Sequence, residues 1–295
     1  MSKQQIEHII NEKTNAAVNE NGLIKTGIKG VQLFKITESV HCAPAVYEPS
    51  VTAIIRGGKE AILDGSKHVY DSSRYICCTL PMPVEAGTPD SSPDNPLIGV
   101  YITIDTSVMT ELVLELTSSA GALRIPKHTS QPLGLSTAQW DKAFTDALYR
   151  LLQLDGNPVD LAILGKSRLR ELYYAILKGD AGNEFKSAFG VGNEIARSIE
   201  FLSSNLNKAV TIEDMTDQIG MSRAVFHRKF KQATNMSPIQ FVKSMRLNNA
   251  AMKIAEGINI NVAAMEVGYT SSSQFSREFK RMYGLSPKQW GQEQR

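Results

Sequence analysis

Phe226-His-Arg-Lys-Phe-Lys-Gln-Ala-Thr-Asn-Met-Ser-Pro-Ile-Gln-Phe241 is restated 49 residues later as Phe275-Ser-Arg-Glu-Phe-Lys-Arg-Met-Tyr-Gly-Leu-Ser-Pro-Lys-Gln-Trp290. Phe, Arg, Phe, Lys, Ser, Pro and Gln hold the same places in both copies, and an aromatic residue closes each. In either copy the two phenylalanines lie four apart, on one face of a helix, and that face must be the buried one. The arginines and lysines then fall outside. A single helix of this kind usually reads as just a solvated face. The repetition does not, because solvent makes no demand for it, whereas two neighbouring stretches of a DNA groove do.

Working outward, each helix start has a local cause. Thr211-Ile-Glu-Asp214 fits a capping box. Gly220-Met-Ser222 and Gly268-Tyr-Thr-Ser271 each supply a turn and then a hydroxyl able to cap the next helix. Ser237-Pro238 and Ser286-Pro287 place proline at the first helical position, where its missing N–H costs nothing. Gly257 fits the stop of a long helix over 241–256. The pattern predicts helix–turn–helix, a connecting helix, then helix–turn–helix.

On the first repeated helix Arg223, His227 and Lys231 form one polar row, with Ala224 and Arg228 beside it. On the second, Ser272, Ser273, Arg277 and Lys280 lie outside. An arginine near the start of a helix in the major groove can bond guanine O6 and N7 together. Lys231, Lys280 and Arg281, further along, suit phosphates.

Charge supports the division. The chain of 295 residues carries a net +2, but residues 191–295 hold 14 Lys+Arg against 9 Asp+Glu, while residues 1–190 hold 18 against 21. A basic C-terminal part beside a mildly acidic N-terminal one is the distribution expected when only the former meets phosphate. No apolar run approaches the ~18–20 residues of a bilayer span. The N-terminus lacks an apolar signal core, so the expected location is cytoplasmic, with no membrane partner. Cys42, Cys77 and Cys78 are an odd set without a signal peptide, which favours packing over a disulfide framework.

Residues 33–105 read as strands and turns. Val51–Arg56 and Lys59–Leu63 flank Gly57-Gly58, a hairpin signal, and Asp64-Gly65 marks another turn. Prolines 81, 83, 89, 93 and 96 precede the apolar run Leu97–Ile104. Many short strands of this kind imply a small barrel or double-sheet roll. Helical spacing follows over about 105–116, 137–153 and 159–178. Phe185–Val191 reads as the linker. Leu148, Leu151, Leu152 and Leu154, with Tyr173, Tyr174, Ile176 and Leu177, look like more apolar surface than a small barrel covers. That surplus predicts a homodimer through this helical segment, the alternative being that both helices pack on the barrel.

Residues 193–291 resemble the AraC/XylS-type DNA-binding domain. The resemblance rests on Ile219-Gly-Met-Ser-Arg…Phe-His-Arg-Lys-Phe-Lys, Arg246-Leu-Asn-Asn-Ala250, Val262-Ala-Ala-Met-Glu-Val-Gly-Tyr269 and the paired Ser-Pro motifs. It implies two readers in successive major grooves, about 34 Å apart. By position it implies base-reading roles for Arg223, Ala224, His227 and Arg228, then for Ser272, Ser273 and Arg277. Ala224 and the serines are small where many members carry larger groups. Leu33-Phe-Lys-Ile-Thr-Glu, Ile55-Arg-Gly-Gly-Lys, Leu80-Pro-Met-Pro-Val and Arg168-Leu-Arg-Glu-Leu-Tyr-Tyr-Ala-Ile-Leu-Lys-Gly179 are similar to the N-terminal domain of one AraC-type subgroup. That likeness implies a cupin-like barrel for effector sensing and helices that pair subunits.

The expected fold is therefore α+β. An N-terminal cupin-like β-barrel with a helical hairpin occupies 1–185, and an all-α double helix–turn–helix domain occupies 193–291. The expected function is a transcription regulator controlled by a small-molecule effector, with double-stranded DNA and RNA polymerase as partners. A ligand-independent architectural DNA-binding protein is the alternative. The β-rich segment speaks against it, since architecture needs no pocket. An enzyme is disfavoured because no Gly-x-Ser-x-Gly elbow or phosphate-cradling loop occurs. No metal or other cofactor is expected, His41 and His68 being isolated from carboxylates at ligand spacing. Arg56 and Lys59 either meet an anionic effector or sit on a solvated turn.

Overall fold

The structure, a computed structural model, describes residues 3–14, 23–119, 134–190, 193–208 and 211–293. The side chains of Thr14, Ser119, Asp214 and Gln218 also lie outside the described set, and with Asp214 goes half of the capping box expected at Thr211.

The N-terminal part opens with α1 (Lys3–Thr14). Nine strands follow: β1 (Leu23–Lys25), β2 (Val31–Ile36), β3 (Val40–Tyr47), β4 (Ser50–Arg56), β5 (Gly58–Leu63), β6 (Ser66–Asp71), β7 (Arg74–Cys78), β8 (Met82–Thr88) and β9 (Leu97–Thr103). After them come α2 (Thr106–Ser119), β10 (Leu135–Gln139), α3 (Lys142–Leu152), α4 (Pro158–Lys178) and α5 (Gly182–Phe189). The strands form two antiparallel sheets, ordered β1-β2-β9-β4-β7-β10 and β3-β8-β5-β6. No ladder among the described residues joins the two, so the cupin-like barrel is an open two-sheet roll rather than a closed cylinder.

Strand alternation sends the two faces of the larger sheet to different places. Leu33, Val51, Ala53, Tyr75, Val100 and Ile102 face the helices, where Ile6, Phe144, Leu148, Tyr173 and Phe185 complete the largest core. Phe34, Ile54, Ile76 and Leu97 face the smaller sheet, meeting Ala61 and Tyr70.

Gly57-Gly58 is not a hairpin. β4 and β5 belong to different sheets, and Gly57 is the corner between them. Its φ is +80°, and a Cβ there would lie 2.7 Å from the Pro96 carbonyl oxygen, so only glycine fits. The tight hairpin comes next, at Asp64-Gly65, where both residues take positive φ and Leu63 pairs with Ser66.

The helix expected over 137–153 starts later, because Leu135–Gln139 pairs with β7 as an edge strand. Asp141 then caps α3 by accepting the Phe144 N–H at 2.7 Å. The expected linker at Phe185–Val191 is helical as far as Phe189, since Phe185 is buried against the main core. The apolar surplus assigned to a dimer surface is largely internal. Leu148, Leu151, Leu152, Leu154, Tyr173, Ile176 and Leu177 are all buried, and Tyr174 alone of that set is exposed.

The C-terminal part is helical: α6 (Glu194–Ser204), α7 (Ile212–Ile219), α8 (Arg223–Thr234), α9 (Pro238–Ala255), α10 (Ile260–Glu266), α11 (Ser272–Tyr283) and α12 (Pro287–Glu293). It has two cores that share α9. Phe226, Phe230, Phe241 and Met245 belong to one, and Leu247, Ile254, Phe275 and Phe279 to the other. Truncating any of these phenylalanines to Ala would cost about 3–5 kcal/mol. The first core also takes in Leu80, Met82 and Val84, so helices and roll are packed together.

Candidate nucleic-acid interface

The sequence repeat survives as a structural repeat down to its caps. α8 ends at Asn235 and α11 at Gly284, residues that correspond across the two copies, and both adopt the left-handed conformation. Their N–H groups donate to Lys231 O at 2.8 Å and Lys280 O at 2.9 Å. Glycine and asparagine take that conformation more readily than other residues. Ser237 and Gln240 then form a reciprocal capping box, and Ser286 and Gln289 repeat it. Ser271 caps α11 by accepting from Gln274 N at 3.3 Å, whereas Ser222 makes no side-chain cap bond.

Aromatic rings hold α8 and α11 from behind. Phe230 sits 5.5 Å from Phe226 and 5.3 Å from Phe241. In the second unit Phe279 lies 5.4 Å from Phe275 and 4.7 Å from Tyr283, and Trp290 stands where Phe241 stands in the first. These faces are buried, so the opposite faces are turned out.

Of the nine residues expected to meet DNA, eight are exposed: Arg223, Ala224, Arg228 and Lys231 on α8, and Ser272, Ser273, Arg277 and Lys280 on α11. Arg228, Lys231, Arg277 and Lys280 have no ion pair among the described residues, so their charge is uncommitted. Arg223 differs: its guanidinium bonds Glu213 on α7 at 2.6 Å. His227 also differs. It is half-buried edge-on to Phe226, and its Nε2 is buried without a partner among the described residues. A partly inward imidazole has less reach than Arg228 beside it.

Other residues hold these faces in place, and sequence reading assigned them no such role. Arg246 on α9 donates to Leu206 O at 2.8 Å and Lys208 O at 3.3 Å, tying down the end of α6. On α11, Glu278 accepts from the Tyr269 hydroxyl at 2.9 Å and pairs with Lys243 at 3.4 Å. Partial burial works against the Glu278 carboxylate, yet its bonds from Gln274, Tyr269 and Lys243 hold it below the usual range. Only the partners' fold positions reveal these roles; within the quoted motif, Arg246 reads as one more cation.

The geometry is that of two cation-bearing helices of similar construction, backed by aromatic rings and joined through one long helix. Comparison with known proteins agrees. Residues 27–184 match the family profile of the AraC-type transcriptional regulator N-terminus, and residues 215–293 match a helix-turn-helix domain. The chain belongs to the AraC-type transcriptional regulators. It is 30% identical over 145 residues to the raffinose operon transcriptional regulatory protein RafR of Pediococcus pentosaceus, covering 48% of this chain and 50% of that one. It is 29% identical over 122 residues to the transcriptional activator RhaS of Mannheimia succiniciproducens, covering 40% and 45%. The chain thus spans half or less of the length of these curated relatives. Among solved structures, ToxT from Vibrio cholerae superposes with a TM-score of 0.59 at 14% identity, over 88% of this chain and 97% of that one. A ToxT structure with unsaturated fatty acid bound gives 0.58 at 13%, over 88% and 94%. At such identities the likeness is one of fold.

No described helix is long and apolar enough to cross a membrane.

Proposed function

We propose that this chain is a cytoplasmic, sequence-specific DNA-binding transcription regulator, not an enzyme, whose two reading helices answer to a small molecule held by the N-terminal roll. The outward, uncommitted cations Arg228, Lys231, Arg277 and Lys280 at matching places on α8 and α11 carry this reading. Arg228 and Arg277 read bases, Ser272, Ser273 and Ala224 offer close approach, and Lys231 and Lys280 meet phosphates. Arg223 joins them once released from Glu213, with His227 the least accessible of the set. The unsaturated fatty acid in a ToxT structure supports control by a small molecule. The architectural alternative leaves the two-sheet roll without a purpose.

RNA polymerase is the partner through which such a regulator acts. A second copy of the chain is the other. Since the surplus leucines are internal, the pairing surface moves to the outer face of α4, where Val159, Ile163 and Tyr174 are exposed on one side of the helix. Paired subunits on paired sites gain avidity without new base contacts.

Selection of bound duplexes from a random-sequence pool tests the central reading. Enrichment of a bipartite site, its half-sites one helical turn apart, is the expected result; an unenriched pool would leave only non-specific binding. Sedimentation of the full chain tests pairing, and a monomer at every concentration removes it.

A further inference from the structure

Lys59 is an amine with no acidic partner among the described residues. It lies on β5, on the same face as Ala61, which is buried between the sheets, so it points into the roll. Its neighbour Glu60 points the other way and pairs with Lys67 at 2.6 Å. Arg56, just before the corner, is exposed and donates to Asp94 O at 3.0 Å. Lys59 makes no ion pair or hydrogen bond among the described residues; its only recorded partner is the Tyr47 ring, 4.7 Å from Nζ. Burial pulls its ammonium down to about 8.

Tyr47 has the complementary problem. Its hydroxyl is buried and has no partner among the described residues. Buried polar groups are nearly always satisfied, and an unpaired buried cation is costlier still. Two such groups meet here, on the inner wall. Small side chains adjoin them on this wall. Ala43, Ala45 and Ala86 lie on the inner face, share register with Ala61 or its neighbours, and keep part of their surface accessible. Phe34, Ile54, Tyr70 and Leu97 form an apolar cluster in this interior, with Tyr101 packed against them.

We propose that the inner wall at Lys59 and Tyr47 binds a monocarboxylate with an apolar body. The ammonium and the phenolic O–H donate to the two carboxylate oxygens, and the body lies against the alanines and the aromatic side chains. One cation matches one negative charge, and among the described residues no second cation lies on this inner wall for a dianion. This deepens the effector reading above and rests on it.

The test is calorimetric titration of the full chain with octanoate, with octan-1-ol as the uncharged control of equal length. Octanoate is expected to bind, the alcohol to bind about tenfold or more weakly, and Lys59→Met to abolish the difference, since a hydrogen bond to a charged group is worth that factor. Tyr47→Phe should weaken octanoate several-fold and gives a second reading if Lys59→Met does not fold. No octanoate binding, equal binding of acid and alcohol, or full octanoate affinity in both variants overturns the site. A gel shift on the same preparations separates the two ideas. DNA bound without octanoate binding ends this proposal and leaves the regulator; octanoate bound without any DNA binding does the reverse.

Discussion

Asn248 and Tyr283 are joined by a 2.7 Å hydrogen bond in which the phenol donates to Asn248 Oδ1. The same amide donates through Nδ2 to Ala45 O at 2.8 Å and Val84 O at 2.9 Å, residues paired across β3 and β8. One buried side chain on α9 thus touches the smaller sheet and the last residue of α11. Burial holds the Tyr283 hydroxyl far above its usual pKa, so it remains a donor at all ordinary pH.

Asn248→Ala should be destabilising. It strands the buried phenol, at a cost of about 1–3 kcal/mol, and removes a second donor from two carbonyls that face each other across the β3–β8 ladder. Tyr283→Phe leaves only one acceptor unpaired and should cost about 1 kcal/mol. Urea unfolding of both single variants and the double measures their coupling; strict additivity would mean that the bond carries no energy.

Arg228→Ala and Arg277→Ala should each weaken binding to the selected site by about 1–3 kcal/mol and relax base preference there. Lys231→Ala should weaken all sequences alike and reduce the salt slope by about 1. Titrations against cognate and scrambled duplexes at several salt concentrations check both, and unchanged selectivity in both arginine variants would displace the reading face.

Glu213→Gln should tighten DNA binding, because it frees Arg223 from a 2.6 Å ion pair. An exposed pair of this kind holds at most about 1 kcal/mol, so the gain is several-fold at most. A loss of affinity instead would mean that Glu213 positions Arg223 for DNA.

Ser286→Ala and Ser237→Ala should each lower stability by about 1 kcal/mol through loss of a helix cap. Impaired DNA binding with an unchanged melting temperature would assign the hydroxyl to a phosphate contact.

Stability should rise with pH from about 8 upward on account of Lys59. Its folded pKa is depressed to about 8 from 10.5, so between those values the unfolded chain holds a proton that the folded chain has released. Tyr47, Tyr70, Tyr101 and Cys78 face it from β3, β6, β9 and β7, and burial raises all four, leaving them neutral through the start of this window. The wild type minus Lys59→Met difference isolates the effect. A flat difference between pH 8 and pH 10 would place Lys59 in solvent.

The duplicated Phe-x-Arg-x-Phe-Lys and Ser-Pro words determined the C-terminal architecture on their own, since caps, helix faces and left-handed stops are local and act within a few residues. They also placed eight of the nine residues proposed to meet DNA on exposed faces, because burial of Phe226, Phe230, Phe275 and Phe279 decides what remains outside. The tertiary structure decided what depends on distant partners. Gly57-Gly58 reads as a hairpin by composition and is a sheet-to-sheet corner only because Pro96 and Leu97 lie against it. The leucines of α3 read as surplus until the larger sheet covers them. Asn248 and Lys59 are ordinary surface types in sequence. Their meaning comes from burial beside groups some 160 residues away in one case, and in the other from burial against the Tyr47 ring with no ion pair among the described residues.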